Sequence, residues 1–152
     1  MAIDDLDLSD FEFDGNQVLG SVSVPWLNGS VNVLITSDDG SVSELQKAIL
    51  ARFIEMPRES KERLEQLIFT YYEANVFDPS LHDERTPEVK HPSEIWRLLS
   101  EPAVLIPLDH QVNKKRQFSV LFECTWDGEH GIGIVYDSNL HPLEVGGQMD
   151  FF

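Results

Sequence analysis

At 152 residues, with 41% apolar and 25% charged side chains, the chain has the size and make-up of a single domain, 1–152, able to bury a core without staples. Its formal charge of −16 opposes binding to nucleic acid and to anionic membranes, since both are polyanions that attract Lys and Arg. A lone cysteine, Cys124, excludes an internal disulfide, and no apolar run approaches the ~18–20 residues of a membrane span.

The N-terminus, Met1-Ala2-Ile3-Asp4-Asp5, lacks the basic and then apolar pattern of a secretory signal, so a cytoplasmic location is expected. Residues 1–9 are the one stretch that composition allows to be disordered. Residues 10–36 read as strands. Phe11-Glu12-Phe13 precedes a turn at Asp14-Gly15-Asn16, and 17–24 alternates, with Val18, Val22 and Val24 on one face and Ser21 and Ser23 on the other. Asn28-Gly29 suits a hairpin, because both residues tolerate positive φ, and Pro25-Trp26 lengthens the connection. Val31, Val33 and Ile35 share a face in the next strand.

Ser41-Val42-Ser43-Glu44 reads as a capping box, with Ser41 and Glu44 bonding each other's backbone amides. Behind it Val42, Leu45, Ala48, Ile49 and Phe53 fall at helical spacing, and Met56-Pro57 ends the helix. Over 58–77 Leu64, Leu67, Ile68, Tyr71, Tyr72 and Asn75 form one stripe at helical spacing. The pairs Arg58/Glu62, Glu59/Arg63 and Lys61/Glu65 fit its solvated side. The Pro-containing stretch 78–92 reads as a long loop and 93–99 as a short helix.

Residues 103–108 read as a strand, with Pro107 marking an edge or an end. In 117–126 Phe118, Val120, Phe122, Cys124 and Trp126 share a face, with Leu121 the exception to the alternation. Cys124 therefore reads as a small buried hydrophobe. A turn at 127–131, a strand at 132–136, the turn Asp137-Ser138-Asn139 and a strand near 143–146 complete the chain. Strands, then helices, then strands predict an α+β fold: a largely antiparallel sheet from the N- and C-terminal segments, with two or three helices on one face.

The charges are sorted along the chain. All eleven Lys and Arg lie between Lys47 and Arg116. Residues 1–46 hold nine acids and 117–152 hold six, with no base in either, so the flanks carry −15 of the −16. The middle sets twelve acids against eleven bases.

The run Trp126-Asp127-Gly128-Glu129-His130-Gly131-Ile132-Gly133-Ile134 concentrates an indole, two carboxylates, an imidazole and three glycines. It resembles the W-D-x-E-H-G-x-G-[IV] signature of small acidic bacterial domains of unknown function. Some members of such families are immunity proteins of toxin–immunity systems. The resemblance implies a binding protein and carries no catalytic residues with it.

Three readings stay open for Asp127, Glu129 and His130. In the structural one, Asp127 accepts turn amides, Gly128 and Gly131 take positive φ, His130 bonds a carbonyl and Trp126 anchors the hairpin. In the second, the carboxylates meet Lys or Arg on a partner. In the third, the three residues join His141 in a metal or acid–base site. Their spacing matches neither H-E-x-x-H nor C-x-x-C nor a calcium loop, so no cofactor is expected.

The leading expectation is a cytoplasmic, non-enzymatic binding protein whose acidic surface occludes a basic protein, such as a cognate toxin domain. Its candidate contact residues are Asp38, Asp39, Asp127, Glu129 and Asp137. The alternatives are a small metal-dependent hydrolase using Asp127, Glu129, His130 and His141, and a structural or regulatory adaptor.

Overall fold

The computed structural model describes residues 7–75 and 89–147, with the backbone alone at 75 and 127–129. Seven strands form one sheet in simple chain order: β1 (Glu12–Phe13), β2 (Gln17–Val24), β3 (Gly29–Thr36), β4 (Leu99–Ile106), β5 (Phe118–Cys124), β6 (Asp127–Tyr136) and β7 (Pro142–Gly146). Between β3 and β4 the chain leaves the sheet for α1 (Glu44–Ile54), α2 (Glu59–Asn75) and a 3-10 segment, Pro92–Leu98. Every neighbouring pair is antiparallel except β3 and β4, which run parallel from Asn32 opposite Ala103 to Ile35 opposite Ile106. A tight hairpin reverses the chain, whereas a long helical crossover returns it to the end where the first strand began. The class is α+β, and β4 is central, so Pro107 marks a strand end and not an edge.

Alternation gives the sheet a core face. Val24, Val33, Ile35, Val104, Ile106, Phe118, Val120, Ile132 and Ile134 are buried there, each removed from water almost entirely. Onto them α1 lays Ile49, Leu50 and Phe53, and α2 lays Leu64, Ile68 and Tyr72. Burying a side chain of this kind is worth about 1.5–3 kcal/mol. Leu67 and Tyr71 are half-buried at the border, while the side chain of Asn75 lies outside the described residues. So do residues 76–77 at the end of the expected helix, 78–88 of the expected loop and 1–6 of the N-terminal stretch. Leu8 packs against the core.

Trp26 is the pin between the hairpin and α1. It sits in a 3-10 turn, Pro25–Leu27, 1% exposed. Its Nε1 donates to Phe53 O at 2.8 Å and its ring meets the Phe53 ring edge-on at 5.6 Å. Asn28 closes that turn with φ 58, as the Asn-Gly pair leads one to expect.

The capping box forms two residues later than Ser41/Glu44. Ser43 Oγ accepts from the Gln46 amide, and Gln46 Oε1 accepts from the Ser43 amide, both at 3.0 Å. Two facts explain the shift. Ser41 is committed to the preceding turn, its hydroxyl donating to Asp39 Oδ1 at 2.5 Å. Gln46, 2% exposed, has a second use: its Nε2 donates to Thr36 O at 2.8 Å and to Pro107 O at 3.0 Å. One carboxamide thus ties together the ends of the two parallel strands and the start of α1.

The segment read as a short helix at 93–99 is a 3-10 stretch, Pro92–Leu98. Trp96 fastens it from both sides. Its Nε1 donates to Glu65 Oε1 on α2 at 2.6 Å, the Lys61 ammonium lies 5.2 Å above its ring, and the ring meets Phe122 edge-on at 5.8 Å. The opposite sheet face carries a smaller apolar cluster, Ala103, Leu105 and Leu121, with Leu34 half-buried beside it. Leu121, the exception in the alternation, belongs here.

Candidate functional site

The glycine-rich motif is strand, not a turn between strands. Thr125-Trp126 makes the reversal, and pairing resumes at once with Cys124 opposite Asp127. The next pair is Phe122 with Ile132, so Gly128, Glu129, His130 and Gly131 lie opposite Glu123 alone. This is a bulge. Gly131 bears it at φ 59, where a side chain would be strained. Glycine and polar density mark a bend equally well within a strand as between two strands, which is why the reading as a turn fails. Gly133 pairs with both Leu121 and Gly146. Trp126 is half-buried, its ring 5.7 Å from that of Tyr72 on α2.

The side chains of Asp127, Gly128 and Glu129 lie outside the described residues. His130 and His141 are both exposed, but they sit near opposite ends of β6. Six strand residues, 131–136, intervene, a span of roughly 20 Å. Among the described residues no three His, Cys, Asp or Glu side chains are placed to share a metal ion.

The candidate contact acids divide the same way. Asp38 and Asp39 follow the end of β3, and Asp137 follows the end of β6. Asp127 and Glu129 begin β6 at the other end of the sheet. Two of the first three already hold turns. Asp39 Oδ1 accepts from the Ser41 amide at 2.9 Å as well as from its hydroxyl. The Ser41 hydroxyl first, and its amide next, hold the Asp39 carboxyl below the usual carboxylate range. Asp137 Oδ1 accepts from the amides of Asn139 and His141, each at 2.9 Å. Asp38 is exposed with no such commitment among the described residues.

Several depressions mark the described surface. One of about 590 Å³ runs between α2 and the start of β7, bordered by Glu62, Arg63, Leu67 and His141. A second, of about 360 Å³, lies where the parallel strands end, between Thr36, Pro107 and Arg116. A third, of about 370 Å³, is a groove on the sheet face away from the helices. Leu19, Leu34, Ala103 and Leu121 supply its apolar surface, and Glu101 and Glu123 are its charged residues.

These two carboxylates are placed by a local irregularity. The β4–β5 register shifts between Ser100 and Ala103. Pro102 sits in the shift, where it has no amide to give a ladder. Glu101 takes φ 51, uncommon for any residue with a Cβ. Ser100 pairs with Glu123, so Glu101 follows immediately on Glu123's partner. Both are exposed, and among the described residues no ion pair or side-chain hydrogen bond engages either one. Sequence reasoning passed over them. The usable signals were a Pro inside a strand and an apolar Leu121 on the wrong face.

Among the described residues no helix is long and apolar enough to cross a membrane. A family model described as a domain of unknown function (DUF6985) matches residues 7–152, and the chain belongs to that family. No curated protein and no solved structure matches.

Proposed function

We propose that this DUF6985 protein is a non-enzymatic, cytoplasmic binding protein that docks on a basic protein and occludes it, in the manner of an immunity protein meeting its toxin. One observation carries the reading. The base-free flanks supply β1 to β3 and β5 to β7, while α2 and all of α1 after its first three residues come from the charge-balanced middle. Among the described residues these strands and their turns therefore carry acids, among them Glu12, Asp14, Asp38, Glu123, Asp137 and Glu144, and no base. A one-signed surface speeds the approach of an oppositely charged protein and selects against others, while buried apolar and aromatic contacts hold the complex.

The test is association kinetics against the product of an adjacent gene, at low and at physiological salt, together with rescue of growth when that product is expressed. The association rate should fall steeply as the screening length shortens to about 8 Å. An association rate indifferent to salt would mean that the acids serve solubility alone.

A further inference from the structure

We propose that the groove between Glu101 and Glu123 receives a single basic side chain of the protein partner, arginine in preference to lysine. This deepens the reading above and rests on it. The groove has two chemically distinct parts. Leu19 and Leu34, both half-buried, flank the buried Ala103 and Leu121, and the exposed Glu101 and Glu123 carboxylates lie beside them. An arginine side chain has the same two parts in the same order, an apolar stem and a charged head. The stem displaces water from the leucines while the head stays at the wetter end.

Charge complementarity selects the occupant. A neutral apolar side chain would cover the leucines and strip water from two carboxylates without compensating them. An acidic one would be repelled by both. A planar guanidinium presents five donors in a fixed fork, so it can engage two carboxylates together, and it is less strongly hydrated than an ammonium. The groove also draws on both halves of the sheet, Leu19 and Leu34 from β2 and β3 and the remainder from β4 and β5. Arginine is among the residue types enriched at the central anchor positions of protein interfaces.

The full chain is labelled with nitrogen-15 and titrated with n-butylguanidinium, which is an arginine side chain without its backbone, and in parallel with n-butylammonium and n-butanol. Amide shifts should centre on Leu19, Leu34, Glu101 and Leu121, with butylguanidinium binding tightest and butanol weakest. The double change Glu101→Gln with Glu123→Gln should weaken butylguanidinium on the order of tenfold, as expected for two solvent-edge ion pairs, and leave butanol unaffected. Both carboxylates are exposed, so an unchanged amide spectrum in the free variant checks the fold.

Shifts spread over exposed acids in general, equal binding of butanol, or an unchanged affinity in the double variant would each overturn the proposal. The two levels separate cleanly. Salt-dependent association with the basic partner that ignores the double change removes the groove and keeps the binding function. Loss of salt dependence removes the binding function itself.

Discussion

Replacing Gln46 by leucine tests the joint on which the sheet's one parallel step depends. The side chain is 2% exposed and makes three hydrogen bonds, to Thr36 O, Pro107 O and the Ser43 amide. A buried hydrogen bond contributes about 0.5–1.5 kcal/mol net, and a polar group left without its partner costs about 1–3 kcal/mol. Leucine regains about 1 kcal/mol by burying more apolar surface. The balance is a loss of about 3–5 kcal/mol, a large part of the roughly 5–15 kcal/mol available to a domain. Urea unfolding should show it as a lower midpoint at unchanged slope.

Gln46→Glu sharpens the test. It keeps the acceptor for the Ser43 amide but turns an anionic oxygen toward two carbonyls. The introduced carboxyl is then driven to hold its proton, so its folded pKa rises above the unfolded value near 4.3. The variant should approach wild type at pH below that value and lose stability as pH rises through the folded pKa. A Gln46→Leu midpoint within about 1 kcal/mol of wild type, or a Gln46→Glu penalty that ignores pH, would refute the assignment of this side chain as the tie.

Other substitutions probe other parts of the argument. Glu101→Gly should raise stability by about 1 kcal/mol, because glycine takes positive φ without a Cβ clash; an unchanged or lower unfolding midpoint would contradict the strain. Trp26→Ala should cost about 3–5 kcal/mol, and Trp126→Ala roughly half as much, since only the first is fully enclosed; the reverse order in denaturant titrations would mean that the motif tryptophan is the true anchor. Tyr136→Phe should be neutral or stabilising by about 1 kcal/mol, because the hydroxyl is buried without a hydrogen-bond partner among the described residues. That same burial pushes its pKa upward, so ultraviolet titration of the native protein should find Tyr136 among the tyrosines that resist ionisation, and the Tyr136→Phe variant should have one fewer. For Asp39 the folded pKa lies below its ordinary value of 3.8, so its contribution is present above that value and lost as pH falls through the folded pKa; Asp39→Asn should flatten the acid limb of stability against pH, and an identical limb in the variant would deny the Ser41 contacts.

The elements that sequence makes legible are those whose pattern is local. Period-2 runs place β2, β3 and β5 within a residue or two, and the stripe from Leu64 to Tyr72 finds α2 and its buried side. What local pattern leaves open is decided by distant partners. Ser41-x-x-Glu44 and Ser43-x-x-Gln46 are equally good capping boxes, and Thr36 and Pro107 choose between them. The parallel joint follows from where the helical crossover ends, which alternation within a strand does not encode. The bulge at Gly131 and the turned-out Glu101 are backbone departures that composition marks as unusual without saying which way the side chains go. Trp26 and Trp126 both sit in the connection between two antiparallel strands; the ring contact and hydrogen bond to Phe53 make the first one the buried pin.

The strand order carries a kinetic consequence. β1 to β3 close by hairpins, as do β4 to β7, and within the sheet these two halves meet at one junction of four registered pairs, Asn32–Ala103 to Ile35–Ile106. Each half can form early from near neighbours in the chain, whereas the junction must wait for the helical crossover to bring its sides together. A seam of this sort is the natural place for a native protein to open partially, below the cost of global unfolding. Hydrogen exchange should therefore find the amides of β3 and β4 at the junction releasing before those inside either half. Any molecule that grips Leu34 and Ala103 at once acts as a stitch across that seam. It would slow exchange there while leaving both halves unchanged, so recognition would register as a gain in cooperativity without a change in shape.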